Sequence, residues 1–314
     1  MDDIERIAGR LKLHDMRVLI AVVESGSMHK AAEHLGTSQS AVSRAIADLE
    51  HSVGVRLLER SPRGIEPTQY GCVLIKRGVA AFDEFRQGVK DIKFLSDPSS
   101  GELRIGCTEA MAAGPVLAVI EQLTQQHPRL VFHLVTGSIV ILYPALAART
   151  IELVISPALG NIDEEHVNVG SLFEDNAFVM AGAKSRWARR RKIELEELVN
   201  EPWTLPPPGS TLRIIFEAAF RARGLQPPAV AVVAESSSIR NRLVATGRFL
   251  TVFSEYYALR FPGIGPSLKA LPVELPDTRR TVKVVNLKNR ALSPLAELFI
   301  DRLRTVTKPL AQGK

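Results

Sequence analysis

Gln39, Ser40, Ser43 and Arg44 put an amide, two hydroxyls and a guanidinium within six residues. Positions four apart share a face of a helix, so this spacing gathers all four on one side. An amide can pair with adenine, a guanidinium with guanine, and a hydroxyl with several base edges or a phosphate. That is chemistry for reading the edge of a nucleic acid rather than for breaking a bond. The bland reading is a small helical domain with a solvated polar face.

These side chains need a helix held down on its other side. Val42, Ile46, Leu49 and Val53 recur at three- and four-residue steps and supply that buried stripe. Two helical patterns come before it. Leu13, Met16, Ile20 and Val23 form the first stripe, which ends near Gly26. Ser27 is placed to cap the second helix, whose buried face is Met28, Ala31, Ala32 and Leu35. Gly36 falls where a helix stop needs positive φ, and Thr37 or Ser38 can cap the third helix. So short a turn implies a steep crossing, the helix-turn-helix arrangement, and Ala31, Ala32 and Ala45 allow close approach. In that geometry the N-terminal part of the second helix of the pair enters the major groove.

After Gly54, Val55 to Arg60 and Ile65 to Thr68 can pair as strands around the turn signal "SPRG". A hairpin there is a wing, with Arg60 and Arg63 at its tip able to reach phosphates or the minor groove. The order of capped helix, glycine turn, capped helix and arginine-tipped hairpin favours DNA. The candidate DNA-contacting set is Ser27, Thr37, Ser38, Gln39, Ser40, Ser43, Arg44, Arg60 and Arg63.

Placement carries this argument, because bulk charge does not. The 314-residue chain has a formal net charge of +6, yet up to Leu95 fourteen Lys and Arg face thirteen Asp and Glu. The apolar and charged fractions, 46% and 24%, are ordinary for a globular protein of two or three domains. The start, "MDDIERIAGRLKLHD", lacks the basic and apolar regions of a signal peptide, and no apolar run reaches eighteen residues. Cys72 and Cys107 are far apart and lack metal-ligand spacing, so reduced thiols in a cytoplasmic protein are expected.

From Gln69 to about Leu95 the pattern is one long helix. Ile75, Phe82 and Val89 repeat every seven residues, with Phe85 and Ile92 between them. Such a stripe packs on a second copy of the chain, giving a two-fold dimer, or on its own domain. "SDPSSG", residues 96–101, then reads as a linker.

Beyond it strands and helices alternate. "ELRIGCT", "LVFHLVTG" and "TIELVISP" read as strands, and a helix carrying Val116, Leu117, Ile120 and Leu123 lies between the first two. This order implies an α/β fold with a parallel sheet. A second run holds the strand "DNAFVMAGA", a helix over "ELEELVNEPW", a long helix after "TLPPPGS", and the segments "AVAVVAES" and "RFLTVFSEYY". "VELPDTRRTVKVVNLKN" reads as a further strand pair, with a closing helix from Pro294. Ligands in such folds gather at strand carboxyl ends and helix N-termini. The candidate loops are therefore Thr108 and Glu109, Thr136 with Gly137 and Ser138, Pro207 to Thr211, and Ser236 to Ser238, where plain helix capping is the competing explanation. A Glu109 pointing inward would disfavour an anionic ligand and favour hydroxyl or amine donors. No nucleophile motif, phosphate loop, dinucleotide fingerprint or metal set occurs, so no enzyme activity and no cofactor is expected. The basic run Arg186, Arg189, Arg190, Arg191 and Lys192 has the charge to bind an anion, but a solvated helix entry is the better reading.

Residues from "AVVESGSMHKAAEHLGTSQSAVSRAIADLE" through "HSVGVRLLERSPRGIEPTQYG" closely resemble the LysR-type transcriptional regulators. A weaker likeness continues through "LRIGCTE", "IELVIS", "EPWTLPPPGS" and "ATGRFLTVF". The resemblance implies an N-terminal, all-α winged helix-turn-helix over 1–68, a dimerising linker helix and hinge over 69–100, and an effector domain over 101–314. That domain would be periplasmic-binding-protein-like, with subdomain I over 101–159 and 267–314 and subdomain II over 160–266. A small-molecule effector would lie between them. By the same likeness Thr108 and Ser138 hold it from one side, and Leu205, Pro208 and Ser210 close from the other. Gln39, Ser40, Ser43, Arg44, Arg60 and Arg63 match the family's DNA contacts. The implied partners are double-stranded promoter DNA, an effector, and further copies of the chain, as homodimer or homotetramer. A solute-binding protein of the same effector fold is the alternative.

Overall fold

A computed structural model describes residues 3–61, 64–157, 162, 165–260 and 267–311. The chain forms two compact units, Met1–Val89 and Lys90–Lys314.

The first unit contains α1 (Asp3–Ala8), α2 (Leu13–Ser25), α3 (Met28–Leu35), α4 (Gln39–Val53), the hairpin strands β1 (Leu58–Ser61) and β2 (Gly64–Pro67), and most of α5 (Gln69–Ser96). Gly36 ends α3 at φ 64°, a left-handed conformation that a side chain resists. Ser38 caps α4, its hydroxyl accepting from the Ala41 N–H at 3.2 Å. Ser27 holds the cap position of α3, but its side chain makes no cap bond. Val42, Ile46 and Leu49 are buried, with Ala31 and Ala32 against them, as the spacing predicts.

The face of α2 differs from expectation. Met16, Val18, Leu19 and Val22 are buried, whereas Leu13 is half exposed. The reason is that α2 packs on two sides. A Cβ on Gly78 of α5 would stand 2.4 Å from the Met16 methyl and 3.5 Å from Ile20. Met16 and Ile20 therefore meet α5, while Leu19 and Val22 belong to the core with α3 and α4.

The hairpin forms, but β1 starts at Leu58 rather than Val55. Leu58 pairs with Pro67 and Ser61 with Gly64. Two ties hold it to the helices. The Glu50 carboxylate accepts from the Leu57 and Leu58 N–H groups at 2.7 and 3.2 Å, and the Ile65 N–H donates to the Gly26 carbonyl at 3.0 Å.

The heptad stripe of α5 divides. Ile75 and Phe82, with Leu74, pack on the core of the first unit. Phe85, Val89, Ile92 and Leu95 remain exposed. The expected single partner face is thus corrected to a half that serves its own domain and a half that is open. The linker "SDPSSG" is also more ordered than expected. Asp97 accepts from the Ser99 N–H at 3.2 Å and from Arg129 at 2.7 Å, and a strand begins at Ser100.

The second unit contains β3 (Ser100–Cys107), α6 (Glu109–Met111), α7 (Leu117–Gln126), β4 (Arg129–Thr136), α8 (Ile139–Ala147), β5 (Leu153–Ser156), β6 (Val167–Asp175), β7 (Ala177–Gly182), β8 (Trp203–Leu205), α9 (Thr211–Ala222), β9 (Val230–Val233), α10 (Ser237–Ala245), β10 (Leu250–Ser254), α11 (Glu255–Arg260), β11 (Leu268–Ala270), β12 (Arg280–Leu287) and α12 (Pro294–Ala311). They build two five-stranded sheets, β4-β3-β5-β12-β6 and β11-β7-β10-β8-β9. The parallel β4-β3-β5 core of the first matches the β-α-β-α-β reading, while β12 is antiparallel to both β5 and β6. Each sheet has its own core: Leu103, Ile105, Val119, Leu123 and Phe299 beside the first, and Trp203, Phe216, Phe220 and Val252 beside the second.

Several local expectations are corrected. On α7, Val119 takes the buried place expected of Leu117, which is 41% exposed. "ELEELVNEPW" yields only a single 3-10 turn, Leu195–Leu198. The expected strand pair after Val273 is one strand, β12, which lies between β5 and β6. β6 was not foreseen. It belongs to the first sheet and β11 to the second, so the chain crosses between sheets at Asp175–Ala177 and between Ala270 and Arg280. The expected boundaries at 159/160 and 266/267 are too early. The sequence in β6, "VNVGSLFED", alternates too weakly to reveal a strand whose partner is over 100 residues away.

Candidate functional site

In the first unit, Gln39, Ser40, Ser43 and Arg44 all lie exposed on the N-terminal half of α4. The backbone amides of this turn are aligned at the positive end of the helix dipole. Ser38 and Ser40 hydroxyls stand 3.0 Å apart, so the cap residue also orders its neighbour. Among the described residues, no ion pair holds Arg44. Thr37 is exposed, its N–H spent on the Ala32 carbonyl at 2.9 Å. Ser27 and Gln39 share one shallow depression with His29, Ser61 and Gly64. His29 and Ser61 escaped the sequence reading, because only the tie between Ile65 and Gly26 brings the hairpin to this place. Arg60 lies on β1; its side chain, and Arg63 entirely, fall outside the described residues.

In the second unit, a cavity of about 120 Å³ opens between the two sheets where the chain crosses. A water needs roughly 10–15 Å³ of such space, so a molecule of several heavy atoms fits. Thr108 and Glu109 enter from the carboxyl end of β3, and Gly137 and Ser138 from the loop after β4. Ser210 and Thr211 face them from the start of α9, and Ser237 and Arg240 from α10. Asp175 and Asn176 at the first crossing, Thr278 and Arg280 at the second, and Glu235, Phe253, Ser254 and Tyr257 belong to the same wall.

Three expected ligand residues are not among this lining. Leu205 is fully buried in the core of the second sheet, because a β8 side chain next to Trp203 is needed there for packing. Thr136 and Pro208 are exposed away from the cavity, and Pro206 takes the place expected of Pro208. Arg240, Asp175 and Tyr257 escaped notice, since each is an ordinary helix or strand residue until the sheets are placed.

The electrostatics of the wall are uneven. The Glu109 carboxylate accepts from the Ser237 N–H at 3.0 and 2.9 Å and from its hydroxyl at 2.6 Å, joining the two halves of the cavity. Arg240 is 4% exposed, donates to the Ser237 hydroxyl at 3.3 Å, and stacks over the Phe253 ring at 5.0 Å. Burial pulls its pKa down, and the charge of Glu109 opposes that shift. Its Nε and Nη1 have no acceptor among the described residues. Burial also pushes Asp175 up to about 6, against the N–H of Tyr256, which donates to it at 3.1 Å. Cys107 is buried beside the site, and desolvation pushes its thiol up to about 12, so it is an inert core residue.

The comparisons with known proteins agree with this division. Residues 13–72 match the bacterial regulatory helix-turn-helix protein, lysR family, and residues 96–308 match the LysR substrate binding domain. The chain is 31% identical over 307 residues to the HTH-type transcriptional regulator GbpR of Azospirillum brasilense, covering 96% of this chain and 88% of that one. It is 28% identical to the transcriptional dual regulator GltC of Bacillus subtilis, covering 93% and 96%. Full-length OxyR from Pseudomonas aeruginosa shares the fold with a TM-score of 0.65 at 20% identity, over 97% of this chain and 99% of that one. Full-length CbnR, solved in complex with its target DNA, does so with a TM-score of 0.54 at 19% identity, over 95% and 100%. No helix among the described residues is long and apolar enough to cross a membrane. The chain therefore belongs to the LysR family of bacterial transcriptional regulators, with a helix-turn-helix DNA-binding domain and an effector-binding domain.

Proposed function

We propose that this regulator works in the cytoplasm as a homo-oligomer whose α4 reads promoter DNA and whose inter-sheet cavity takes a small-molecule effector. The reading assigns Gln39, Ser40, Ser43 and Arg44 to base edges and Ser27, Thr37 and Ser38 to phosphates. Arg60 and Arg63 keep their assignment to the wing tip. Residues 1–68 serve as the DNA-binding head, 69–100 as the arm and hinge, and 101–314 as the effector domain. The exposed half of α5, from Phe85 to Leu95, is assigned to contact with a second copy.

The observation that carries the cavity assignment is its construction. Thr108, Glu109 and Ser138 come from one sheet, and Ser210, Ser237 and Arg240 from the other. A ligand touching both walls binds one spacing of the sheets better than another, and only such a difference shifts an equilibrium. The test is binding of the full-length protein to DNA of its own promoter region, titrated with salt and with competitor DNA. A steep salt slope with retained preference for promoter DNA is expected. Equal affinity for promoter and competitor DNA at all salt concentrations would refute sequence-specific reading.

A further inference from the structure

The cavity carries a carboxylate at the place best suited to bind one. We propose that Glu109 fills the anion subsite of this cavity in cis, so that the effector is a neutral polyhydroxylated small molecule and carboxylate analogues are refused. This inference rests on the reading of the cavity as the effector site.

Glu109 belongs to α6, on the side of the first sheet, and its partner Ser237 opens the nine-residue helix α10 on the side of the second. Free N–H groups and the dipole at such an end favour an anion. Here the Ser237 N–H and hydroxyl are already taken by both Glu109 oxygens, at 2.6 to 3.0 Å. One turn along α10, the buried Arg240 donates to the same hydroxyl at 3.3 Å. Ser237 therefore relays between guanidinium and carboxylate, and the charge of Arg240 is already countered across it.

What Arg240 lacks is acceptor atoms, since Nε and Nη1 have none among the described residues. A ligand hydroxyl meets that need and can itself donate a hydrogen bond to a carboxylate of the wall. A ligand carboxylate supplies acceptors only. It would also add negative charge to a wall that holds Glu109, Asp175 and Glu235 against Arg240 and Arg280. Phe253 and Ile215 offer apolar surface for the C–H face of such a polyol.

The test uses the full-length protein and calorimetric titration with matched pairs differing only in CH₂OH against COO⁻, such as glucose with glucuronate and galactose with galacturonate. Xylitol and inositol extend the neutral set. We expect at least one neutral member to bind about tenfold or more tightly than its acid, because like charges in a desolvated site repel strongly. Glu109→Ala exposes Ser237 and Arg240 to the ligand and is expected to erase or reverse that preference. Glu109→Gln keeps the side-chain shape, drops the charge, and is expected to narrow it, which covers the case in which the alanine variant does not fold. An acid that binds the wild-type chain as tightly as its neutral partner overturns the proposal but leaves the cavity as effector site. So does a preference for the neutral partner that Glu109→Gln leaves unmoved. Failure of every neutral member to bind at millimolar concentration also overturns it. Binding that persists unchanged in the cavity-filling Ser254→Trp variant removes the underlying reading as well.

Discussion

Arg44 stands on the second turn of α4 with its guanidinium exposed and, among the described residues, without an ion-pair partner. A long cationic side chain that nothing restrains contributes little to the fold and is free to be spent on a base edge. Arg44→Ala is expected to weaken specific DNA binding by roughly 1–3 kcal/mol and to relax the preference at one base position. Its thermal unfolding should match the wild type. An unchanged footprint and affinity in a gel-shift and footprinting series would remove Arg44 from the interface. Asp175 poses the opposite situation, a charge held where the fold does not favour it. Its pKa is raised from 3.8 to about 6 by burial, so the native state binds a proton that the unfolded chain has released. The stabilising contribution of that proton is complete below about pH 4 and is lost as the pH rises through about 6. Asp175→Asn, neutral at every pH, should therefore be more stable than the wild type at pH 8, by at most about 3 kcal/mol. That advantage should shrink as the pH falls from 6 to 4. Denaturant unfolding at a series of pH values checks this, and an advantage that does not vary with pH would contradict it.

At the scale of elements, α5 illustrates how one periodic stripe serves two masters. A seven-residue apolar repeat states that a face must be covered, and it carries no information on what covers it. Ile75 and Phe82 are covered by α2 and its neighbours, and the close approach of α2 requires the bare Cα of Gly78. Phe85, Val89, Ile92 and Leu95 are not covered. Ile92→Glu should therefore lower the association state seen by analytical ultracentrifugation and cost cooperative DNA binding. Ile92 takes no part in the core of the head, so helical content by circular dichroism should hold. An unaltered sedimentation profile would mean that oligomers form through another surface. The helix-turn-helix was readable element by element, because α3 and α4 each carry their own apolar stripe and glycine stop within about fifteen residues. The hairpin was readable from its turn, but not its attachment. Glu50 secures it through two backbone N–H groups of Leu57 and Leu58, and nothing in the sequence separates Glu50 from any other surface glutamate.

At the scale of the whole molecule, the effector domain is a pair of sheets that share two crossings. The sequence by itself determined the parts whose signals are local: the glycine-stopped helices of the head, the polar face of α4, the long helix α5, and the β-α-β-α-β run of the first sheet. It also placed Thr108, Glu109, Gly137, Ser138 and Ser210 at strand ends and helix starts, where the folded chain has them lining the cavity. Only the tertiary structure decided which chain segments meet. β6 and β12 pair across more than 100 residues, and that pairing, rather than any local pattern, sets where the chain passes between sheets. It likewise decided that Leu205 belongs to a core, that Arg240 belongs to the cavity, and that Glu109 spends its charge on Ser237, 128 residues away. The physical reason is the same in each case. Helix periodicity and capping are set by neighbours within a few residues. Burial, charge pairing and sheet order are set by whatever the rest of the chain brings alongside.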